Sequence, residues 1–236
     1  MRHSKTALPL ALALVASFYS SAAVRGAEPA PSKPRVLILG DSISLGYTPL
    51  VKNNLAAVAE VLRPNENCQH TGYGLKNIDK WLGDTKWDVI HFNFGIWDTH
   101  LLGPKGNLVF PEPDELGDLK QRHSPEEYRK NLTQLVEKMQ KSGATVIWAS
   151  TTPITSRKGA RFEAIKQLNA VAAEVAAAHK LETNDLYAFV MPHADEWLKG
   201  DHVHFFGEGN KQLAERVTES IRQALAKRSA AENTGK

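Results

Sequence analysis

The sequence predicts an α/β fold built on a five-stranded parallel sheet with helices on both faces, and three observations support this. Five short apolar runs along the chain are typical of buried strands. Each run is followed by a segment with helical periodicity, an alternation that favours a parallel sheet. The chain has 236 residues, which suits one domain with a full hydrophobic core and is short for two.

The predicted strands are brief apolar runs bounded by Gly, Asp or Pro, as expected of strands buried on both faces. They are Arg35–Leu39, Val61–Leu62, Val89–Phe94, Thr145–Trp148 and Leu181–Leu186. Right-handed crossovers between parallel strands place every strand-to-helix loop at one edge of the sheet. Ligands of such sheets bind at that edge, so the search for functional residues belongs there.

The predicted helices begin at recognisable caps. Thr48-Pro49 is an N-cap followed by a first-turn proline, and it predicts a helix that runs to about Glu60. Ser124-Pro-Glu-Glu127 is a capping box that opens a helix closed by Gly143. Helical spacing of apolar residues predicts the remaining helices over residues 75–82, 161–180 and 209–227.

Two segments show no such periodicity. Residues 96–123 read as a long excursion, and long loops inside compact domains are often functional. The polar segment from Ser229 onward is predicted to be a frayed tail.

Residues 1–27 are predicted to be a secretory signal peptide. Arg2 and Lys5 precede an apolar run from Ala7 to Ala16, and small residues follow, with cleavage expected between residues 23 and 27. The apolar run is short for a bilayer span, so export to the periplasm or the medium, without a stable membrane anchor, is predicted. Residues 28–34 form a Pro-rich spacer before the domain, residues 35–228, and the polar tail, residues 229–236.

Bulk charge gives no indication of a nucleic-acid partner. The chain carries 29 Lys+Arg against 26 Asp+Glu, a net charge of +3. Three of the basic residues and none of the acidic ones lie in the signal segment, so the remaining chain is formally neutral. The single cysteine, Cys68, excludes an intramolecular disulfide framework and a Cys-based zinc site. No metal or other cofactor is predicted.

Two loops at opposite ends of the predicted domain carry residue types suited to nucleophilic catalysis. Ser42 follows the first strand in Gly40-Asp41-Ser42, but a serine hydroxyl is a poor nucleophile until a base takes its proton. Asp201 and His204 precede the last helix, where the carboxylate can hold the imidazole while its far nitrogen faces Ser42. Each half alone is a weak signal, and together they predict a Ser-His-Asp triad.

On these residues the sequence resembles the SGNH or GDSL hydrolase family, over nearly all of residues 35–226. The resemblance implies a flavodoxin-like three-layer α/β/α sandwich and ester hydrolysis without a metal. It also implies that Ser42 is the nucleophile, His204 the base and Asp201 the residue that orients the base. His202 occupies a position that is commonly Gly in the family.

The third sequence block of the family departs from its pattern here. The family has Gly-x-Asn-Asp, whose Asn side chain helps to bind the oxyanion, whereas this chain has Gly95-Ile96-Trp97-Asp98. Losing one oxyanion donor costs about 10²–10³ in rate. The indole N–H of Trp97 replaces the amide, or Asn93 supplies the donor, or the 96–123 loop does, or the site is weakened.

The second block supplies a backbone oxyanion donor after the second strand. Gly72 and Gly74 are the nearest matches, although Gly74 can instead begin a helix. If the register slips, the donor falls at the N–H of Cys68 or Gln69, so several candidates stay open.

Three other residues are candidates for roles in the core or in sugar binding. His91 alternates with core residues on a strand and is predicted to be a hydrogen-bonded core histidine. Trp97 and Trp197 lie in predicted edge loops, where an indole ring can stack on a sugar.

Together these features predict an exported serine esterase that hydrolyses a small acyl ester on a carbohydrate through an acyl-enzyme. Two alternatives stay open. One is an acyltransferase or a lysophospholipase-like enzyme with the same triad, and the other is a non-catalytic carbohydrate-binding protein on the same fold.

Overall fold

Strands and helices alternate along the chain, as the sequence predicts. The structure is a computed structural model that describes residue 1 and residues 32–109, 119–155 and 160–234. Apart from Met1, the predicted signal peptide lies outside the described residues, as does most of the spacer. Residues 33–236 form one compact unit, and it contains all the elements described below.

The central sheet has five parallel strands, and the predicted fold class is confirmed. Its strands are β1 (Arg35–Leu39), β2 (Glu60–Leu62), β3 (Val89–Phe92), β7 (Thr145–Ala149) and β8 (Glu182–Asn184). Between β3 and β7 the chain forms three short strands of a separate sheet, β4 (Leu101–Leu102), β5 (Leu108–Val109) and β6 (Lys120–Gln121). The sheet order is β2-β1-β3-β7-β8, the order of flavodoxin-like folds. The order reverses direction at β1 and β3, so their carboxyl ends flank the crevice where ligands bind.

Helices cover both faces of this sheet. They are α1 (Ser42–Leu55), α2 (Thr71–Leu82), α3 (Pro125–Lys141), α4 (Ala160–Ala178), α5 (Leu186–Val190), α6 (Ala194–Trp197) and α7 (Gly207–Thr234). On one face α1 packs against α7, and on the other α3 packs against both α2 and α4. Within the described residues, no helix is long and apolar enough to cross a membrane.

Alternate residues of each strand face opposite layers, because side chains in a strand point to the two faces in turn. In β1, Val36 and Ile38 join the core cluster that includes α1 and α7. Leu37 and Leu39 join the cluster that includes α2 and α3. This double burial explains why the strands read as continuous apolar runs rather than as alternating patterns.

The predicted start of α1 at Thr48 is wrong, because the helix begins at Ser42. Asp41 is its N-cap, and its Oδ1 accepts a hydrogen bond from the Ile43 N–H at 2.9 Å. Pro49 therefore lies inside the helix, where it removes one backbone donor. The Thr48 hydroxyl donates to the Ser44 carbonyl at 2.6 Å rather than capping a new helix. Ser42 consequently stands in the first helical turn.

Two further helix ends differ from prediction, and one agrees. The helix α2 begins at Thr71 rather than Leu75, because Nδ1 of His70 accepts the Tyr73 N–H and caps it. The helix α7 continues to Thr234, so the predicted frayed tail is helical over most of its length. The capping box at Ser124 is confirmed, with both of its reciprocal hydrogen bonds present.

The excursion over residues 96–123 is not a plain loop where it is described. The strands β4, β5 and β6 form a small antiparallel sheet in the order β5-β4-β6, and residues 110–118 lie outside the described residues. Each strand has two residues, which is too short to produce a readable periodicity. This small sheet stands at the edge of the central sheet that carries the candidate site.

Candidate active site

Ser42 and His204 meet at the carboxyl edge of the sheet, although they are far apart in the chain. Ser42 follows β1 and opens α1, and His204 lies in the loop before α7. The Ser42 hydroxyl oxygen and His204 Nε2 are 2.7 Å apart, which is hydrogen-bond distance. This contact crosses 162 positions of sequence and places a base against the hydroxyl.

Asp201 completes the hydrogen-bonded chain on the other side of the imidazole. Its Oδ2 lies 2.5 Å from His204 Nδ1, and its Oδ1 accepts the N–H groups of Val203 at 3.0 Å and His204 at 2.7 Å. Partial burial acts to raise the pKa of Asp201, but these hydrogen bonds outweigh it and lower the pKa to about 2. The carboxylate therefore stays charged in all but strong acid.

This geometry fits removal of the Ser42 proton. Because the carboxylate accepts from Nδ1–H of His204, the other ring nitrogen, Nε2, is left to accept from Ser42. The side chains of His204 and Asp201 are 36% and 48% exposed, so an ester in solvent can reach them. The structure thus brings together the three residues that the sequence predicts as a triad.

The backbone conformation of His202 explains why glycine is common at this position in the family. Its φ is +67°, in the left-handed region that costs most side chains energy, although His is among the residues found there more often. The ring Nδ1 lies 3.0 Å from the Thr155 hydroxyl, and the backbone N–H donates to the Leu198 carbonyl at 2.7 Å. His202 therefore holds the turn that presents His204 and does not contact Ser42.

A buried carboxyl group directly precedes Ser42. Asp41 is 2% exposed, and its Oδ2 has no hydrogen-bond partner in the described part of the chain. Burial raises the pKa of Asp41 to about 6, against the opposing effect of the Ile43 N–H and of the nearby His204 and Arg63. The sequence motif identifies Asp41, but only the folded structure shows that its Oδ2 has no hydrogen-bond partner among the described residues.

Most of the predicted second-block donors are already engaged. The Gly74 N–H donates to the His70 carbonyl at 2.9 Å, so Gly74 is a helix residue and the prediction that it donates to an oxyanion is wrong. The Cys68 N–H donates to the Gly40 carbonyl at 3.2 Å, and the Gln69 N–H donates to Asn67 Oδ1 at 2.8 Å. Gly72, in the first turn of α2, stays a candidate, since no partner of its N–H lies among the described residues.

Gly74 is nevertheless required for packing. A Cβ at this position would lie 2.9 Å from the Phe94 ring and 3.3 Å from Leu135. Any side chain there would push α2 away from α3 and from the end of β3.

The third block, with Gly95 and Trp97, follows the carboxyl end of β3. A Cβ at Gly95 would lie 2.2 Å from the Thr151 hydroxyl oxygen, so only glycine fits this close approach. Trp97 is half-buried, and its ring lies 4.8 Å from that of His100. Within the described residues its indole N–H has no hydrogen-bond partner, so the Trp97 donor stays a prediction.

Asn93 does not meet the requirement for a free donor. Its amide nitrogen donates to the Ala149 carbonyl at 2.8 Å and to the Thr151 hydroxyl at 3.2 Å. Both N–H groups therefore join β3 to the end of β7, and the hypothesis that Asn93 replaces the family's Asn is not supported. His91 is fully buried and lies 3.2 Å from the Asn184 amide, so its predicted role as a hydrogen-bonded core residue is confirmed.

A second Asp–His pair lies beside the third block, and the sequence did not reveal it. Asp98 is fully buried and lies 2.6 Å from His123 Nδ1. The same carboxylate accepts from the backbone N–H of Thr71 at 3.1 Å and from its hydroxyl at 2.6 Å. This network ties the start of α2 to the third block and to the end of the excursion. Asp98 is visible in the block-three motif, but nothing local marks His123 as its partner.

Comparisons with known proteins agree with this fold. Residues 38–212 match the model of the GDSL-like lipase/acylhydrolase family. A lipase/acylhydrolase from Enterococcus faecalis superimposes with a TM-score of 0.64 at 26% identity, over 80% of this chain and 96% of the other. The acetylxylan esterase Axe2 from Geobacillus stearothermophilus gives 0.63 at 19% identity, over 80% and 94% of the two chains. Among curated proteins, none matches the sequence.

Proposed function

The chain belongs to the GDSL-like lipase/acylhydrolase family of carboxylic ester hydrolases, and we propose that it is an exported serine esterase that removes a small acyl group from a carbohydrate. In this proposal Ser42, His204 and Asp201 form the catalytic triad. The observation that carries it is the continuous hydrogen-bonded chain from the Asp201 carboxylate through His204 to the Ser42 hydroxyl.

The proposed reaction proceeds in two half-reactions. Ser42 Oγ attacks the ester carbonyl while His204 Nε2 takes its proton, and Asp201 stabilises the imidazolium that forms. The tetrahedral intermediate then collapses, and His204 returns the proton to the departing alcohol, which leaves an acyl group on Ser42. Water, deprotonated by His204, attacks this acyl-enzyme and releases the carboxylic acid and free Ser42.

The oxyanion of each tetrahedral intermediate needs preorganised donors. We assign two of them to the backbone N–H of Ser42 and to the indole N–H of Trp97. In the described residues neither group has a hydrogen-bond partner. The N–H of Gly72 is the candidate for the second-block donor, because it lies in the first turn of α2, where N–H groups have no intrahelical acceptor.

The preference for a small acyl group on a sugar has three supports. Two solved structures with this fold, with TM-scores of 0.63, are acetyl xylan esterases. The N-terminal residues have the pattern of a signal peptide, which would deliver the protein to polysaccharides outside the cytoplasm. The segment 103–123 is polar in sequence, whereas a long-chain lipid substrate favours an apolar surface.

A substrate panel tests this function directly. The mature protein is expected to hydrolyse acetylated sugars faster than p-nitrophenyl esters of long acyl chains, and Ser42→Ala is expected to abolish both activities. Adding a free sugar acceptor and analysing the products separates hydrolysis from acyl transfer. If rates rise with acyl length, or if the acyl group passes to the acceptor, the lysophospholipase-like or acyltransferase alternative replaces the proposal.

A further inference from the structure

We propose that Phe206, together with Leu45, forms the subsite for the alcohol part of the ester and takes the apolar face of a sugar ring. The inference rests on the proposed function and adds the position of the sugar. It concerns a surface that the triad and the oxyanion donors do not use.

The chemistry of the leaving group decides which side of the site holds the alcohol. His204 Nε2 must pass its proton to the alcohol oxygen, so that oxygen has to come within hydrogen-bond distance of Nε2. The carbonyl oxygen faces the other way, toward the oxyanion donors. Residues adjoining His204 on the loop before α7 therefore lie on the alcohol side, and the block-three residues lie on the oxyanion side.

Phe206 is fixed on that alcohol side with its ring open to solvent. It follows His204 by two residues and is 62% exposed, whereas its neighbour Phe205 is 6% exposed and joins the core. A Cβ at Gly200 would lie 3.0 Å from two carbon atoms of the Phe206 ring, so the ring rests against the Gly200 backbone. Gly200 immediately precedes Asp201, so the ring spans the loop that carries the proposed acid–base pair.

Leu45 lies on the same side, and a hydrogen bond holds the two segments together. It is 41% exposed and sits one turn after Ser42 in α1. The next residue, Gly46, accepts a hydrogen bond through its carbonyl from the Asn210 side chain at 3.1 Å. Asn210 belongs to the first turns of α7, which begins directly after Phe206. Two exposed apolar side chains thus belong to the two segments that carry Ser42 and His204.

The other aromatic ring near this loop is less available. Trp197, which the sequence suggested for sugar stacking, is stacked on His193 with ring centroids 4.3 Å apart. Its Cβ would be 2.8 Å from a Cβ at Gly209, so it also packs closely against α7. Phe206 therefore replaces Trp197 as the stacking residue.

A sugar ring suits this surface better than a long hydrocarbon chain. One face of a pyranose presents C–H groups that pack on an aromatic ring, while its hydroxyl groups stay hydrated at the edges. Two separate apolar side chains are a small surface compared with the patches of several hundred Å² that mark lipid or protein contacts. The surroundings supply polar groups, since Asn210 and Glu208 follow on α7 and are not buried.

The test compares two acetate esters that differ only in the alcohol. We measure kcat/KM for an acetylated methyl pyranoside and for ethyl acetate, and take the ratio as the selectivity for the sugar. Phe206→Ala is expected to lower this selectivity about tenfold, mainly through KM, and Phe206→Trp to keep it. The Leu45→Ser variant is expected to lower it by a smaller factor.

Val58→Ala is the matched control, because Val58 is 51% exposed and lies just before β2, at the opposite edge of the sheet. Its selectivity is expected to equal that of the unaltered protein, and thermal unfolding checks that every variant folds. The proposal is overturned if Phe206→Ala keeps the selectivity, or if it instead lowers activity on ethyl esters of long-chain acids. If the unaltered protein hydrolyses neither acetate, the proposed function itself fails, which is a different result.

Discussion

The two Asp–His pairs described in this protein have similar hydrogen-bond geometry, but the carboxylate of one is exposed and that of the other is buried. In each pair a carboxylate lies within 2.6 Å of Nδ1 of a histidine. Asp201 and His204 are on an exposed loop, and the free ring nitrogen of His204 contacts Ser42. Asp98 is fully buried, and its carboxylate also accepts from the N–H and the hydroxyl of Thr71.

The difference teaches that an Asp–His contact does not by itself indicate a catalytic base. A base needs a nucleophile on its second nitrogen and access for substrate. The Asp201–His204 pair has a serine hydroxyl at that nitrogen and an exposed position. A buried carboxylate with several donors instead joins segments that are distant in sequence, because leaving it without partners is costly. We therefore expect the first pair to control rate and the second to control stability.

The largest expected effect comes from Asp201→Asn. Asparagine keeps the side-chain shape, but with its oxygen held by the Val203 and His204 N–H groups it presents an amide N–H to His204 Nδ1. It also has no charge to stabilise an imidazolium, so kcat is expected to fall by about 10³–10⁴. The thermal unfolding midpoint should change little, because Asp201 is 48% exposed and the amide oxygen can still accept the Val203 N–H. A loss of activity matched by a large drop in that midpoint would mean that this pair is structural.

The second effect is expected in stability, from Asp98→Asn. The substitution leaves the His123 donor and the buried Thr71 donors with a neutral acceptor in place of a carboxylate. The free energy of unfolding is expected to fall by about 3 kcal/mol, measured by urea denaturation. The turnover of the folded fraction should stay within about tenfold of that of the unaltered protein. An Asp98→Asn protein of normal stability would break the proposed division between the two pairs.

Trp97 precedes Asp98 in the chain, so a substitution there tests whether the segment that carries the buried pair also contributes to the site. Phenylalanine keeps the aromatic packing but removes the indole N–H, so Trp97→Phe is expected to lower kcat by about 10² without a large change in KM. Asn93→Ala serves as the comparison, because its amide is committed to Ala149 and Thr151. That variant should lose stability and keep most of its kcat per folded molecule. Unchanged kcat in Trp97→Phe would dismiss the indole as an oxyanion donor.

The smallest effect concerns Asp41, which is buried like Asp98 but has an oxygen without a partner in the described residues. Burial raises its pKa to about 6 from an ordinary 3.8, so the folded state binds the proton more tightly than the unfolded state. Stability from this group is therefore present below pH 3.8 and is lost as pH rises to about 6.

Asp41→Asn removes that titration and keeps an N-cap residue for α1. Relative to the unaltered protein, the variant is expected to be more stable at pH 8 than at pH 4, by on the order of 2 kcal/mol. Urea denaturation of both proteins at the two pH values measures this difference. An equal offset at both values would show that folding does not raise the pKa of Asp41.

Short-range patterns allowed much of the fold and the proposed triad to be predicted. The strand β1 is a five-residue apolar run, and Asp201 and His204 are three residues apart on one loop, so local sequence identifies both. The sequence predicts the wrong start of α1 because Thr48-Pro49 has the pattern of an N-cap followed by a first-turn proline. The N-cap in the structure is Asp41, which precedes Ser42.

The oxyanion donors and the second pair depend on contacts that local sequence does not encode. Whether an N–H is free depends on distant acceptors, as with Cys68, whose partner is the Gly40 carbonyl. Asp98 and His123 are 25 positions apart at the two ends of the excursion, and only the folded small sheet brings them together. Sequence patterns identified the oxyanion candidates but not the second pair, and packing decides both.

Labelling with a fluorophosphonate tests the central claim, that only the Asp201–His204 pair activates Ser42. The probe is applied to the unaltered mature protein, to His204→Gln and to His123→Gln, with mass spectrometry to locate the modified residue. We predict modification of Ser42 at similar rates in the unaltered protein and in folded His123→Gln, and a rate at least about 10² lower in His204→Gln. Undiminished labelling in His204→Gln, or none in folded His123→Gln, would contradict the account.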